Sequence, residues 1–117
     1  MPLEVTSRVE DDFGILELAG SLTLGPSLIT LRDCVRQLLS ANRLCGVILR
    51  VAGVTNTDSS GLGELTVVYT LARKRGCPIR LVEVSSNLHK MLELTRLDGL
   101  LPSTNDVSTA KAEMKQQ

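Results

Sequence analysis

A chain of 117 residues with 43% apolar and 22% charged residues has the size and composition of one folding unit that needs no metal or disulfide staple. Thirteen basic residues balance thirteen acidic ones, and Phe13 and Tyr69 are the only aromatic residues, which argues against a nucleic-acid backbone, an anionic membrane or a base-stacking surface as partner. Cys34, Cys45 and Cys77 form no C-x-x-C pair and read as small buried hydrophobes, while His89, the single histidine, reads as a surface or half-buried residue.

No metal site, cofactor or Ser-His-Asp triad is therefore expected. Met1-Pro2-Leu3-Glu4 lacks the basic and apolar parts of a signal peptide, and no apolar run approaches the ~20 residues of a spanning helix. A cytoplasmic protein is expected.

Leu3 to Val9 alternates between apolar and polar residues, the period of an edge or half-buried strand. Asp11-Asp12 then supplies a turn into a second strand, Gly14 to Leu18, which Ala19-Gly20-Ser21 ends. From Pro26 to Ala41, Leu28, Leu31, Val35, Leu38 and Leu39 recur at helical spacing, with Pro26 suited to the first turn. Val47 to Val51, bounded by Gly46 and Gly53, reads as a buried central strand.

After Thr57-Asp58-Ser59-Ser60 a second helix carries Leu62, Leu65, Tyr69 and Ala72 on one face, widened by Val68 and Leu71. Arg73, Lys74 and Arg75 followed by Gly76 mark its end. Pro78 opens a strand from Ile79 to Val84, and Ser85-Ser86-Asn87 caps a helix with Leu88, Met91 and Leu92. In the tail, Leu100-Leu101 reads as a short strand, and Asp106 or Ser108 as the cap of a last helix through Met114. Strands alternating with helices make an α/β domain over residues 1–117, with the tail from about 104 the least patterned part. The opening hairpin makes the small sheet mixed, packed by about four helices.

The chemistry concentrates at Asp58-Ser59-Ser60-Gly61-Leu62-Gly63, where a buried strand turns into an amphipathic helix. Gly61 and Gly63 keep bulky side chains off the first turn, so another protein's backbone can approach the serines. One of Asp58 and Ser59 is the N-cap, worth about 1 kcal/mol, and Ser60 reads as bonding local backbone. The motif contains no base matched to a serine nucleophile and is not the Gly-x-Ser-x-Gly elbow of hydrolases, so no enzyme is expected.

This segment resembles the hallmark Asp-Ser-Ser-Gly-Leu-Gly of the STAS family, in particular the bacterial anti-sigma factor antagonists. Leu18 to Gly25 is similar to the family's first loop, and Leu81 to Leu94 to its penultimate strand and helix, so the likeness covers nearly the whole chain. The resemblance implies a single STAS-type α/β domain that binds an anti-sigma factor, itself a serine kinase of the histidine-kinase-like ATPase type. It implies that Ser59 is phosphorylated to release that kinase, that Asp58 orients or activates the acceptor, and that a metal-dependent serine phosphatase resets the cycle.

Thr23, Gly25, Asp58, Ser59, Ser60, Gly61, Leu62 and Gly63 are then the partner-binding residues. Thr23 stands where the family often carries an aspartate, so a second acidic group beside Ser59 is missing. The alternative reading is a small-ligand module of the same family, with a nucleotide or anion held at the glycine-rich helix start.

Overall fold

The computed structural model describes residues 1–115 of the chain. Among these residues five strands, β1 (Glu4–Glu10), β2 (Phe13–Leu22), β3 (Gly46–Thr57), β4 (Ile79–Val82) and β5 (Ser103–Thr104), lie side by side in chain order. The β1–β2 pair is antiparallel and the remaining pairs are parallel, giving the mixed sheet expected from the sequence. The hairpin turn is Asp11-Asp12, with φ of 53° and 67°. Aspartate tolerates this left-handed region better than most residues, and two such residues in succession match the twist of the flanking strands.

Four helices among the described residues cover the sheet: α1 (Ser27–Ala41), α2 (Ser59–Lys74), α3 (Ser86–Leu94) and α4 (Val107–Lys115). The first three bury their stripes in one core with Leu16, Leu18, Leu22, Val47, Leu49 and Val51 of the central strands. On the opposite face, Ala110 and Met114 of α4 close a smaller core over Phe13, Ile15, Ile48 and Val82. This two-sided burial explains why β3 begins as a continuous apolar run.

Where α4 does not reach, that face carries a ladder of charges across the strands, Arg8 to Glu17 at 2.6 Å, Glu17 to Arg50 at 3.0 Å, and Arg50 to Glu83. Solvent screening leaves such half-exposed pairs little net stability, but they keep an otherwise open sheet face polar. No helix among the described residues is long and apolar enough to cross a membrane.

Several expectations are corrected. The strands expected at Gly14 to Leu18 and Val47 to Val51 continue to Leu22 and Thr57. The glycines read as terminators sit at irregularities of one continuous pairing, with register shifts between Glu17 and Ala19 and between Gly20 and Ser21. At Gly53 a Cβ would lie 2.9 Å from the Leu18 carbonyl oxygen, so this glycine permits close strand approach.

β4 stops at Val82 because Glu83 turns to φ 58°. Leu100-Leu101 is no strand: the Leu101 N–H donates to the Leu97 carbonyl and its side chain enters the core, while Ser103–Thr104 pairs with β4. Pro26 occupies the N-cap position of α1 rather than its first turn. Asp106, not Ser108, caps α4, taking the Thr109 N–H at 2.7 Å. Of the three cysteines only Cys77 is buried; Cys34 is half-buried and Cys45, in the turn before β3, is exposed. His89 lies exposed on α3 beside Glu93.

Candidate functional site

β2 and β3 end together at Leu22 and Thr57, and the chain leaves them in different directions, one into the loop before α1 and the other into α2. Asp58 joins the two paths. Its backbone is extended, and its N–H donates to the Leu22 carbonyl at 3.3 Å. One carboxylate oxygen accepts the Gly61 N–H at 2.9 Å, capping α2, and the other accepts the Leu24 N–H at 3.0 Å, holding the loop of Thr23, Leu24 and Gly25 against the helix start.

Two otherwise orphaned backbone donors are satisfied by a single side chain. These bonds, that from Leu24 first and that from Gly61 second, hold the Asp58 carboxyl below its ordinary value of 3.8. Hydrogen bonding to the charged form is the cause, and a carboxylate so stabilised is a weak proton acceptor.

With Asp58 as the cap, Ser59 is the first helical residue and its side chain stands in solvent. Ser60 is half-buried. Gly61 and Gly63, two residues apart, do different work. A Cβ on Gly61 would fall 1.9 Å from the Leu22 carbonyl oxygen, so the first turn of α2 rests on the end of β2 only because that side chain is absent. A Cβ on Gly63 would meet nothing within 4 Å.

Leu62 is only 5% exposed and belongs to the core. Of the residues named from the sequence, then, the structure brings Thr23, Gly25, Asp58, Ser59, Ser60 and Gly63 to one surface and turns Gly61 and Leu62 inward.

Two residues at the site were not anticipated. Leu24, at the tip of the loop, is 79% exposed. Its signal was present in the sequence, an apolar residue between Thr23 and Gly25 in a segment read as a loop. Glu64 is the one buried charged side chain among the described residues, and both its oxygens are held by Arg32 of α1 at 2.8 Å. Position 64 falls between Gly61 and Val68 on the inward face of α2, so helical spacing alone marks it as needing a partner. This fork fixes α2 against α1 just behind the site.

The contrast between the two glycines predicts opposite responses. Gly61→Ala should destabilise the protein strongly, because backbone must move to relieve the clash. Gly63→Ala should stabilise it by up to about 1 kcal/mol, the helix propensity gained at an open position. Denaturant unfolding of both variants checks this, and equal effects would show that the two positions are not distinguished as described.

A second prediction concerns pH. Because folding lowers the Asp58 pKa, its contribution to stability is complete above the ordinary carboxylate range and is lost as pH falls through the depressed folded value. The Leu24 and Gly61 amide resonances should titrate together with a midpoint below 3.8. Independent midpoints would show that the carboxylate is not shared. Asp58→Asn, which keeps an acceptor for Gly61 but offers an amide group to Leu24, should leave α2 formed and speed hydrogen exchange at Leu24.

Comparison with known proteins agrees with this architecture. The chain superimposes with a TM-score of 0.84 on a Thermotoga maritima protein regarded as an anti-sigma factor antagonist, at 21% identity over 95% of this chain and 94% of that one. It superimposes at 0.69 on the phosphorylated form of the Bacillus cell fate determinant SpoIIAA, at 14% identity over 94% and 97% of the two chains. It also matches part of the murine anion transporter Slc26a9, with a TM-score of 0.79 and 14% identity, covering 99% of this chain and 22% of the transporter. At these identities the likeness is one of fold. The family model of the STAS domain matches residues 4–110, and the chain belongs to the STAS-domain family.

Proposed function

We propose that this chain is an anti-sigma factor antagonist that works as a phosphorylation-controlled partner switch. Unmodified, it binds an anti-sigma factor that is also a serine kinase of the histidine-kinase-like ATPase type, and a sigma factor is thereby freed. Phosphorylation of Ser59 releases the kinase, and a metal-dependent serine phosphatase restores the binding form.

The observation that carries this reading is the placement of Ser59: a solvent-facing hydroxyl at the first position of α2, beside a loop pinned by Asp58 and tipped by an exposed leucine. The best-formed concavities of the described residues lie elsewhere, so the site presents a hydroxyl to an approaching surface and does not enclose a small substrate. Leu24 supplies an apolar anchor of the kind that dominates binding energy when buried by a partner. Asp58, with both oxygens engaged and its basicity lowered, acts as the group that positions Ser59 and its loop.

A module that binds a nucleotide or simple anion at the same helix start is less well supported. The Asp58 carboxylate already takes the Gly61 N–H that such an anion would use, and its charge repels a second anion.

A phosphoryl group on Ser59 brings about −1.5 to −2 charges. Within a closely packed interface that charge must be desolvated beside Asp58, at a cost of several kcal/mol, and about 2.7 kcal/mol already weakens binding a hundredfold.

Incubation with the kinase that co-purifies from the host, in the presence of ATP, should add one phosphoryl group, mapped to Ser59 by peptide mass analysis. Ser59→Ala should remain unmodified and Ser60→Ala should be modified normally. Leu24→Ala should weaken kinase binding by about tenfold or more while leaving the fold intact. Phosphate on Ser60, or on the Ser59→Ala protein, would overturn the assignment.

A further inference from the structure

At the end of the molecule away from Ser59, a concavity of about 660 Å³ opens at the base of the sheet, between the end of α2 and the end of α4. Arg73 lies fourteen positions along the helix from Ser59, roughly 21 Å along the axis, so this is a separate region of the surface. Its floor is apolar, built from Leu44, Ile79 and Met114, the last two almost wholly buried. Its wall carries Tyr69 and Arg73, and Cys45 lines it as well.

Arg73 donates to the Tyr69 hydroxyl oxygen at 2.7 Å. That bond uses one of the five guanidinium donors and leaves the tyrosine proton available to an incoming acceptor. Lys115 adds a second cation to the lining, and no carboxylate of the described residues lines the cavity or pairs with Arg73.

We infer that this cavity binds a small amphipathic carboxylate, its head on the Arg73 guanidinium and Tyr69 hydroxyl and its apolar body on Leu44, Ile79 and Met114. A convergent pair of donors above an apolar floor is the pattern of a small-molecule site, and the planar fork of arginine suits a carboxylate. A phosphate ester fits less well. α1 and α2 present their C-termini at this end, so the site has no helix N-terminus or backbone N–H cradle of the kind phosphates use, and Arg73 and Lys115 are the charges that offset the negative helix poles for a singly charged head.

Such a ligand would act independently of the Ser59 switch. Its presence or absence is read without any kinase.

Titration of the full chain with decanoate tests the inference, followed by amide chemical shifts, with the alkylation rate of Cys45 by iodoacetamide as a second readout. Saturable shifts at Leu44, Cys45, Tyr69, Arg73 and Ile79, with slowed alkylation of Cys45, are expected. Arg73→Gln should weaken binding by about tenfold or more with the fold unchanged, Tyr69→Phe should weaken it less, and the neutral decyl alcohol should bind more weakly than decanoate. Inorganic phosphate should produce no response there. No saturable response to decanoate, shifts centred on Ser59, or equal affinity in the Arg73→Gln protein would overturn it.

Discussion

The end of this molecule that carries Ser59 depends on one carboxylate shared between two backbone donors. Asp58 sits where β3 gives way to α2, and its two oxygens close the helix start at Gly61 and the loop at Leu24. The cap at Gly61 is local, but the bond from Leu24 would not form in this geometry if the first turn of α2 stood further from β2, and it stands where it does because Gly61 has no side chain to strike the Leu22 carbonyl. Close packing, cap and loop are thus one arrangement, and Ser59 is the residue it leaves facing outward.

That arrangement also explains why the proposed switch needs no change of shape. Behind the site, Leu65, Val68 and Ala72 are fully buried against the sheet, and Glu64 is locked to Arg32. A charge added at Ser59 faces solvent in the free protein, where water screens it from Asp58 and the positive end of α2 offsets their repulsion. In the proposed switch the same charge becomes costly when a partner covers it. The energetic difference therefore lies between free and bound states, not between two conformations of the domain.

Much of this was legible in the residues because the signals are local. The periodicity of α1 and α2 and the Asp11-Asp12 turn depend on neighbours in sequence, and each was found where expected, whereas the strand leading to Asp58 was found at its apolar start but runs on to Thr57. What was misread depends on distant partners. Glycines at positions 20 and 53 look like strand ends until the adjacent strand is in place, when they become points of close approach and shifted register. Leu100-Leu101 has the composition of a strand, but an apolar pair buried by a turn has the same composition. β5 is two residues long and carries no pattern at all. The bonds from Leu24 to Asp58 and from Arg32 to Glu64 span 34 and 32 residues, so neither could be inferred from spacing along the chain.

The central claim is that Asp58 holds Ser59 on a rigid, locally defined surface whose modification blocks a partner by charge alone. Comparing the amide spectra and melting temperatures of the free protein with and without a phosphoryl group on Ser59 tests it most directly. The account predicts shift changes confined to Thr57 through Leu65 and the adjoining Ser21 to Gly25 loop, with a melting temperature unchanged or slightly raised. Changes spread through the sheet and α3, or a melting temperature lowered by many degrees, would contradict it and replace local repulsion with a conformational mechanism.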